Sequence, residues 1–248
     1  MLRPRLGAYC EQLRLSDRAD LGAAAAHEEL RPAALEDRTQ MLALLEGVDA
    51  VVHLGGVSVE AAFDPILQAN IVGMFNLYEA ARLRGVRRVV FASSNHVVGF
   101  YRQNEIIDNR APPRPDSLYG VSKAFGENLS RMYYERYGIE TVCLRIGSST
   151  PEPENRRMLA SWLSHDDLER LVVAALTAPC AGHTIVFGTS DNATSWWDNT
   201  QARHIGYRPL DSSEPWRAAV EARDPRPAAD DPTLIYQGGV YVTLGPYD

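Results

Sequence analysis

Three stretches decide the fold between them: RVVFAS (88–93), LYGVSKAFGENLSRMYYERY (118–137) and TVCLRI (141–146). The first and third are short β-rich runs that are apolar at successive positions. Such runs suit strands buried on both faces, as in a parallel sheet covered by helices. The middle stretch reads as a helix. Working outward, the same alternation recurs. Further strands are expected at Gln12–Ser16, Ala50–Leu54 and Thr184–Phe187, and further helices at Arg38–Leu45, Ile66–Arg84 and Asp166–Ala178. Ser195–Ile205 and Glu214–Ala222 read as two more helices. Strands alternating with helices predict an α/β fold built on a doubly wound parallel sheet.

The helix over 118–137 carries the most unusual residue of the chain. Of 25 Lys and Arg residues only Lys123 is lysine, leaving 25 − 1 = 24 arginines. Arginine stays protonated and presents a planar fork, whereas lysine is a compact ammonium with a tunable pKa. Tyr119 precedes it by four residues, which places both on one helix face. An ammonium there is expected to lower the phenol from its usual value of about 10 and make it a general base closer to neutral pH.

Open α/β sheets bind ligands outside the carboxyl ends of their strands. Asp17 follows the first expected strand, LGGVS (54–58) the next, SSNH (93–96) the third and Gly147-Ser148 the fourth. One such segment means little. Four in register, beside Tyr119 and Lys123, make one site.

The chain has 248 residues, 45% of them apolar, and a net charge of −7. That suits a single domain with a real core. The acidic balance argues against nucleic acid or an anionic membrane as a bulk electrostatic partner. Cys10, Cys143 and Cys180 are odd in number and far apart, without metal-ligand spacing. Structural zinc is therefore not expected, and reduced thiols in a cytoplasm are. No apolar run approaches the length of a membrane span.

The ordered set VVHLGG (51–56), ANIVGMFNLYEAAR (69–82), VVFASSNHVVG (89–99), SLYGVSKAFGE (117–127) and WLSHDDLERLVVAAL (162–176) resembles the extended short-chain dehydrogenase/reductases, the NAD-dependent epimerase/dehydratase superfamily. Within it, GGVSVE (55–60), PDSLYG (115–120), LRIGS (144–148), WWDN (196–199) and YQGG (236–239) are similar to the uronate dehydrogenases. The resemblance implies a Rossmann-like sheet with a small C-terminal substrate-binding region. Residues 1–147 would be mainly a dinucleotide-binding core, 148–222 a substrate side and 223–248 a surface tail, all within one domain.

The resemblance also implies roles. Tyr119 would be the catalytic base, Lys123 would tune it and hold the nicotinamide ribose, and Ser94 would hydrogen-bond the reacting hydroxyl. Ser58, Asn95, His96 and Ser148 would bind sugar hydroxyls. Arg157 would pair with a uronate carboxylate, for which its fork is well shaped. Asp17 would accept from the adenosine ribose diol and repel the 2′-phosphate of NADP. Leu35, Leu54, Gly55, Gly56, Asn70, Ser93 and Ile146 would complete the NAD site, and no metal is implied. Local readings compete. Ser94 could satisfy strand-end backbone, His96 could be a packed core histidine, Asp17 could cap the next segment, and Asn70 could be a polar helix-face residue. Arg156 competes with Arg157. Trp196 and Trp197 read as core or interface residues rather than ligand stackers.

The chain departs from the superfamily in two places. Extended dehydrogenases open with a strand, a TGxxGxxG loop that cradles pyrophosphate, and a helix. Here MLRPRLGAY (1–9) reads as the end of that helix, so the strand and loop are missing from the sequence: either they stand upstream, the favoured reading, or the chain is short and its dinucleotide affinity impaired. Without a central strand its neighbours keep unpaired backbone groups, each costing about 1–3 kcal/mol if dry. Ala34-Leu35 stands where the superfamily usually has Asp-Leu beside the adenine.

The activity expected from the resemblance is NAD-dependent oxidation of the C1 hydroxyl of glucuronate or galacturonate to an aldarolactone, by a cytoplasmic homo-oligomer. A sugar-nucleotide epimerase or dehydratase with tightly held NAD is the alternative, although the part after Ser148 is short for a nucleotide-binding lobe. A non-enzymatic relative is a third reading. The absent loop motivates it, and the intact Ser94, Tyr119 and Lys123 set opposes it.

Overall fold

The computed structural model describes residues 1–225, 228, 230–245 and 247. In chain order the elements are α1 (Arg3–Leu6), β1 (Leu13–Leu15), β2 (Glu28–Leu30), α2 (Arg38–Leu44), β3 (Ala50–His53), α3 (Phe63–Ile66) and α4 (Gly73–Arg84). There follow β4 (Arg88–Ser94), α5 (Leu118–Tyr137), β5 (Glu140–Ile146), α6 (Met158–Ser161), α7 (His165–Thr177), β6 (His183–Gly188), α8 (Arg217–Arg223) and α9 (Pro232–Ile235). A π-helical segment, Leu67–Val72, joins α3 to α4.

Every strand pair is parallel. β1 pairs with β2, and β3, β4, β5 and β6 form a second sheet in that order. Val89 lies opposite Thr141 and Ser94 opposite Ile146, so the carboxyl ends of β4 and β5 finish level. β1 and β3 are not paired with each other. Side chains alternate between two cores on the faces of the larger sheet. Val90, Val142 and Leu144 point to the face covered by α7, with Leu171 and Val172. Val89, Phe91 and Cys143 point to the face covered by α4 and α5, with Leu77, Tyr78 and Tyr133. This two-sided burial explains why β4 and β5 are apolar at successive positions.

Three elements differ from the sequence reading. β2, the segment EEL, has no counterpart in it. Its carboxylates are paired from α1 and β1: Arg3 Nη2 lies 2.7 Å from Glu28 and Arg14 Nε 2.6 Å from Glu29. The helix expected over Ser195–Ile205 is confined to a 3₁₀ segment, Thr200–Ile205. Trp196 and Trp197 instead run beside Ile107, whose backbone bonds both flanking peptides. Trp197 stacks on Phe187 with centroids 4.8 Å apart.

Within the surface tail expected over 223–248, residues 237–239 are buried against the rest of the fold. Gln237 is only 1% exposed. Its Oε1 accepts from Trp197 Nε1 at 2.9 Å, and its Nε2 donates to the carbonyls of Arg102 and Glu105. The prolines and charges of 223–232 hide a following segment, YQGGVY, that folds back over the carboxyl ends of the strands. Within that stretch, residues 226, 227, 229, 246 and 248 lie outside the described residues.

Candidate active site

A cavity of about 800 Å³ opens at the carboxyl ends of β4 and β5. α5 begins beside it. Ser117 caps that helix by accepting from Gly120 N at 3.0 Å, and Glu60, on the loop after β3, accepts from Tyr119 N at 2.8 Å. A carboxylate at a helix N-terminus is favoured by the helix dipole. The two caps fix the first turn, from which Tyr119 and then Lys123 reach the cavity wall.

Lys123 is 5% exposed, and its Nζ donates to the Ala92 carbonyl at 2.8 Å. Burial lowers its pKa to about 8. Tyr119 is 8% exposed, and burial pushes its pKa up to about 12, with the Ser94 side chain opposing the rise. The lowering expected from a neighbouring ammonium is thus corrected. Lys123 Nζ lies 5.6 Å from the centre of the tyrosine ring, and the largest influence on the phenol is its burial.

The cavity gathers many of the residues singled out by sequence. Ser58, Leu54, Ser93, Ser94, His96, Ile146, Ser148 and Arg157 all line it with Tyr119 and Lys123. Asn95 does not. It is buried behind the wall, its amide nitrogen donating to Ile146 O at 3.0 Å and its oxygen accepting from Arg157 Nη2 at 2.5 Å. Asn70, on the π segment, braces the 54–58 loop: it accepts from Val57 N at 2.8 Å and donates to Val57 O and to Ser122 Oγ, each at 2.9 Å. Gly55 and Gly56 lie between that brace and Leu35. Asp17 and Leu35 stand away from the cavity, and Asp17 Oδ1 accepts from Ala19 N at 3.0 Å, the capping contact that competes for it.

Arg156 and Arg157 are told apart by their partners. Arg156 donates to Asp224 O at 2.5 Å and pairs with Glu221 at 3.4 Å. Arg157 is half-buried, with one face on the cavity. Its partners among the described residues are neutral oxygens: Gln237 O at 2.7 Å, Ser148 Oγ at 3.3 Å, Ser161 Oγ at 3.5 Å and the Asn95 amide. Burial lowers its pKa to about 10, opposed chiefly by the charge of Asp116. A guanidinium left without a carboxylate in such a place is a ready anion site.

Sequence reasoning missed the C-terminal wall. Tyr241 stacks on His96 with centroids 3.6 Å apart. Gly239 has φ +62, and a Cβ there would meet Arg157 Cδ at 2.4 Å, so a glycine lets this strand of wall close on the arginine. The signal was present as YQGG, but nothing local said which side chains it would face.

The chain fits a dinucleotide at the nicotinamide end. Lys123 spends one donor on Ala92 and has two more without a partner among the described residues, which suits ribose hydroxyls. Among the described residues no group of three or more His, Cys, Asp or Glu side chains could hold a metal ion. No helix among them is long and apolar enough to cross a membrane.

A model of the NAD dependent epimerase/dehydratase family matches residues 9–178. The uronate dehydrogenase of Pseudomonas putida is 57% identical, over 100% of this chain and 92% of its own. The chain belongs to the uronate dehydrogenases of that family. The crystal structure of a glucuronic acid dehydrogenase from Chromohalobacter salexigens superposes with a TM-score of 0.96 at 51% identity, covering 98% of this chain and 92% of that one. The uronate dehydrogenase of Agrobacterium tumefaciens, as a tyrosine-to-alanine mutant complexed with NAD, gives 0.95 at 47% identity, with the same coverage. Membership in the uronate dehydrogenases makes this chain an NAD-dependent oxidoreductase.

Proposed function

We propose that the chain oxidises the C1 hydroxyl of cyclic glucuronate or galacturonate to the aldarolactone. The observation that carries this is Arg157, a half-buried cation whose partners among the described residues are neutral, on the same cavity as Ser94, Tyr119 and Lys123. A sugar carboxylate supplies the missing anion and sets the distance to the reacting end. Ser94 and Tyr119 hydroxyls hold the C1 hydroxyl, and Tyr119 Oη takes its proton. Lys123 holds the nicotinamide ribose and favours the phenolate that forms. Ser58, His96 and Ser148 meet the remaining hydroxyls, and Asn95 steadies Arg157 from behind. Bound NAD supplies the hydride acceptor. Asp17 and Leu35 meet its adenosine half.

The test is NADH formation, read by its near-ultraviolet absorbance, with NAD and either uronate. NADH release in repeated turnover is expected, whereas an epimerase would hold its cofactor and release none. The dehydrogenase names of the full-length relatives also set that alternative aside. A chain that binds no NAD in a direct titration would be the non-enzymatic relative.

We further infer a homo-oligomer meeting through α4 and α5. Phe75 and Leu83 on α4, and Val121 and Met132 on α5, are exposed large apolar side chains on neighbouring helices. A monomer mass by light scattering overturns this. The three cysteines are free thiols, which supports a cytoplasmic location, to be checked by fractionation.

A further inference from the structure

PDSLYG and YQGG meet at a residue with no role so far. Asp116 has a fully enclosed carboxylate next to the cavity wall. Its Oδ2 lies 2.8 Å from His96 Nδ1, and its Oδ1 accepts from Ser117 Oγ at 2.8 Å. Two glycines make room for it. A Cβ on Gly99 would come within 1.7 Å of Oδ2, and one on Gly238 within 2.0 Å. Any side chain at either position would collide with the carboxylate, so both glycines are needed to admit it. The chain brings together residues 99, 116 and 238 to hold one carboxylate against one imidazole.

The imidazole is itself held. It stacks on Tyr241 at 3.6 Å and meets the Tyr119 ring edge-on at 5.9 Å. His96 lines the cavity, and its Nε2 has no hydrogen-bond partner among the described residues. An ionised carboxylate can only accept, so the nitrogen facing it must carry the hydrogen. The other ring nitrogen then keeps its lone pair. Burial also lowers the His96 pKa, against the opposing hydrogen bond and charge of Asp116.

We propose that Asp116 is a positioning residue that fixes His96 as the Nδ1–H tautomer, so that Nε2 faces the cavity as an acceptor for a sugar hydroxyl. Resting on the uronate reading above, this adds a demand on the substrate. It must present an O–H donor at His96, and a ring substituent that can only accept is refused. Ser94 and Tyr119 handle the hydroxyl that reacts. His96 selects among those that do not.

Long-range ¹H–¹⁵N correlation spectra of the imidazoles distinguish the two neutral tautomers and need no substrate. The full chain at neutral pH is expected to show His96 as Nδ1–H. In Asp116→Ala and the isosteric Asp116→Asn that pattern is expected to be lost. KM for the uronate should then rise about tenfold, with kcat changed less than about threefold, since the lost contact does not touch the reacting bond. A wild-type spectrum showing Nε2–H overturns the proposal. Variants that keep the Nδ1–H pattern also overturn it, as does an altered tautomer with KM unmoved. Should the variants fail to fold, the wild-type spectrum alone still decides the tautomer. Should the chain oxidise no uronate, the proposed function fails separately, because the spectra are read without any sugar.

Discussion

Tyr119→Phe is expected to cut kcat for uronate oxidation on the order of a thousandfold, with KM within about twofold. The substitution removes one oxygen and leaves the ring where it packs, edge-on to His96 at 5.9 Å and 6.3 Å from Tyr241. The pocket that holds the sugar therefore survives. The pH profile gives a second reading of the same variant. Burial places Tyr119 at about 12, and the working base is its deprotonated form. Below that value the phenolate fraction grows with pH, so kcat/KM of the wild type rises toward alkali. The phenylalanine variant is expected to lose that rising limb. Retained turnover, or the same alkaline rise in the variant, would remove Tyr119 from the mechanism.

Arg157→Met is expected to raise KM for glucuronate on the order of a hundredfold, the equivalent of about 3 kcal/mol for a lost charge-assisted contact. Neutral aldoses should be affected far less, because they carry nothing for the guanidinium to pair with. Stability should move in the opposite sense from an ordinary core truncation. The cation costs the free protein its desolvation, and its partners are neutral oxygens of Gln237, Ser148, Ser161 and Asn95. Methionine fills similar volume without that cost, so the thermal midpoint is expected to hold or rise. A fall in the midpoint together with an equal loss on neutral sugars would make Arg157 a structural residue.

The cavity wall was legible where its residues lie close along the chain or at strand ends. Tyr119 and Lys123 are one helical turn apart on α5, and any helix over 118–137 puts them on one face. Ser58 and Ser148 follow β3 and β5, Ser94 ends β4, and parallel strands deliver their carboxyl ends to one side. Asn70 and Asn95 were read as ligand contacts, and in the structure each also reaches backbone or a neighbouring side chain. Sequence placed them near the site correctly but could not say on which side of the wall they stand. The burial of Gln237 was not legible because it depends on Trp197, Arg102 and Glu105, all distant in the chain.

By itself the sequence determined the parallel α/β architecture, because runs apolar at successive positions need helices on both faces. It determined the Tyr119 and Lys123 pairing, because helical periodicity is a local property. Only the tertiary structure decided the charge states and partners within the site. Burial raised Tyr119 where a neighbouring ammonium alone would lower it, and desolvation depends on every residue packed around the phenol. Packing likewise gave Arg156 its carboxylate and left Arg157 without one among the described residues, although the two are adjacent in sequence. It brought Asp116, Gly99 and Gly238 to His96 across separations that no local rule spans.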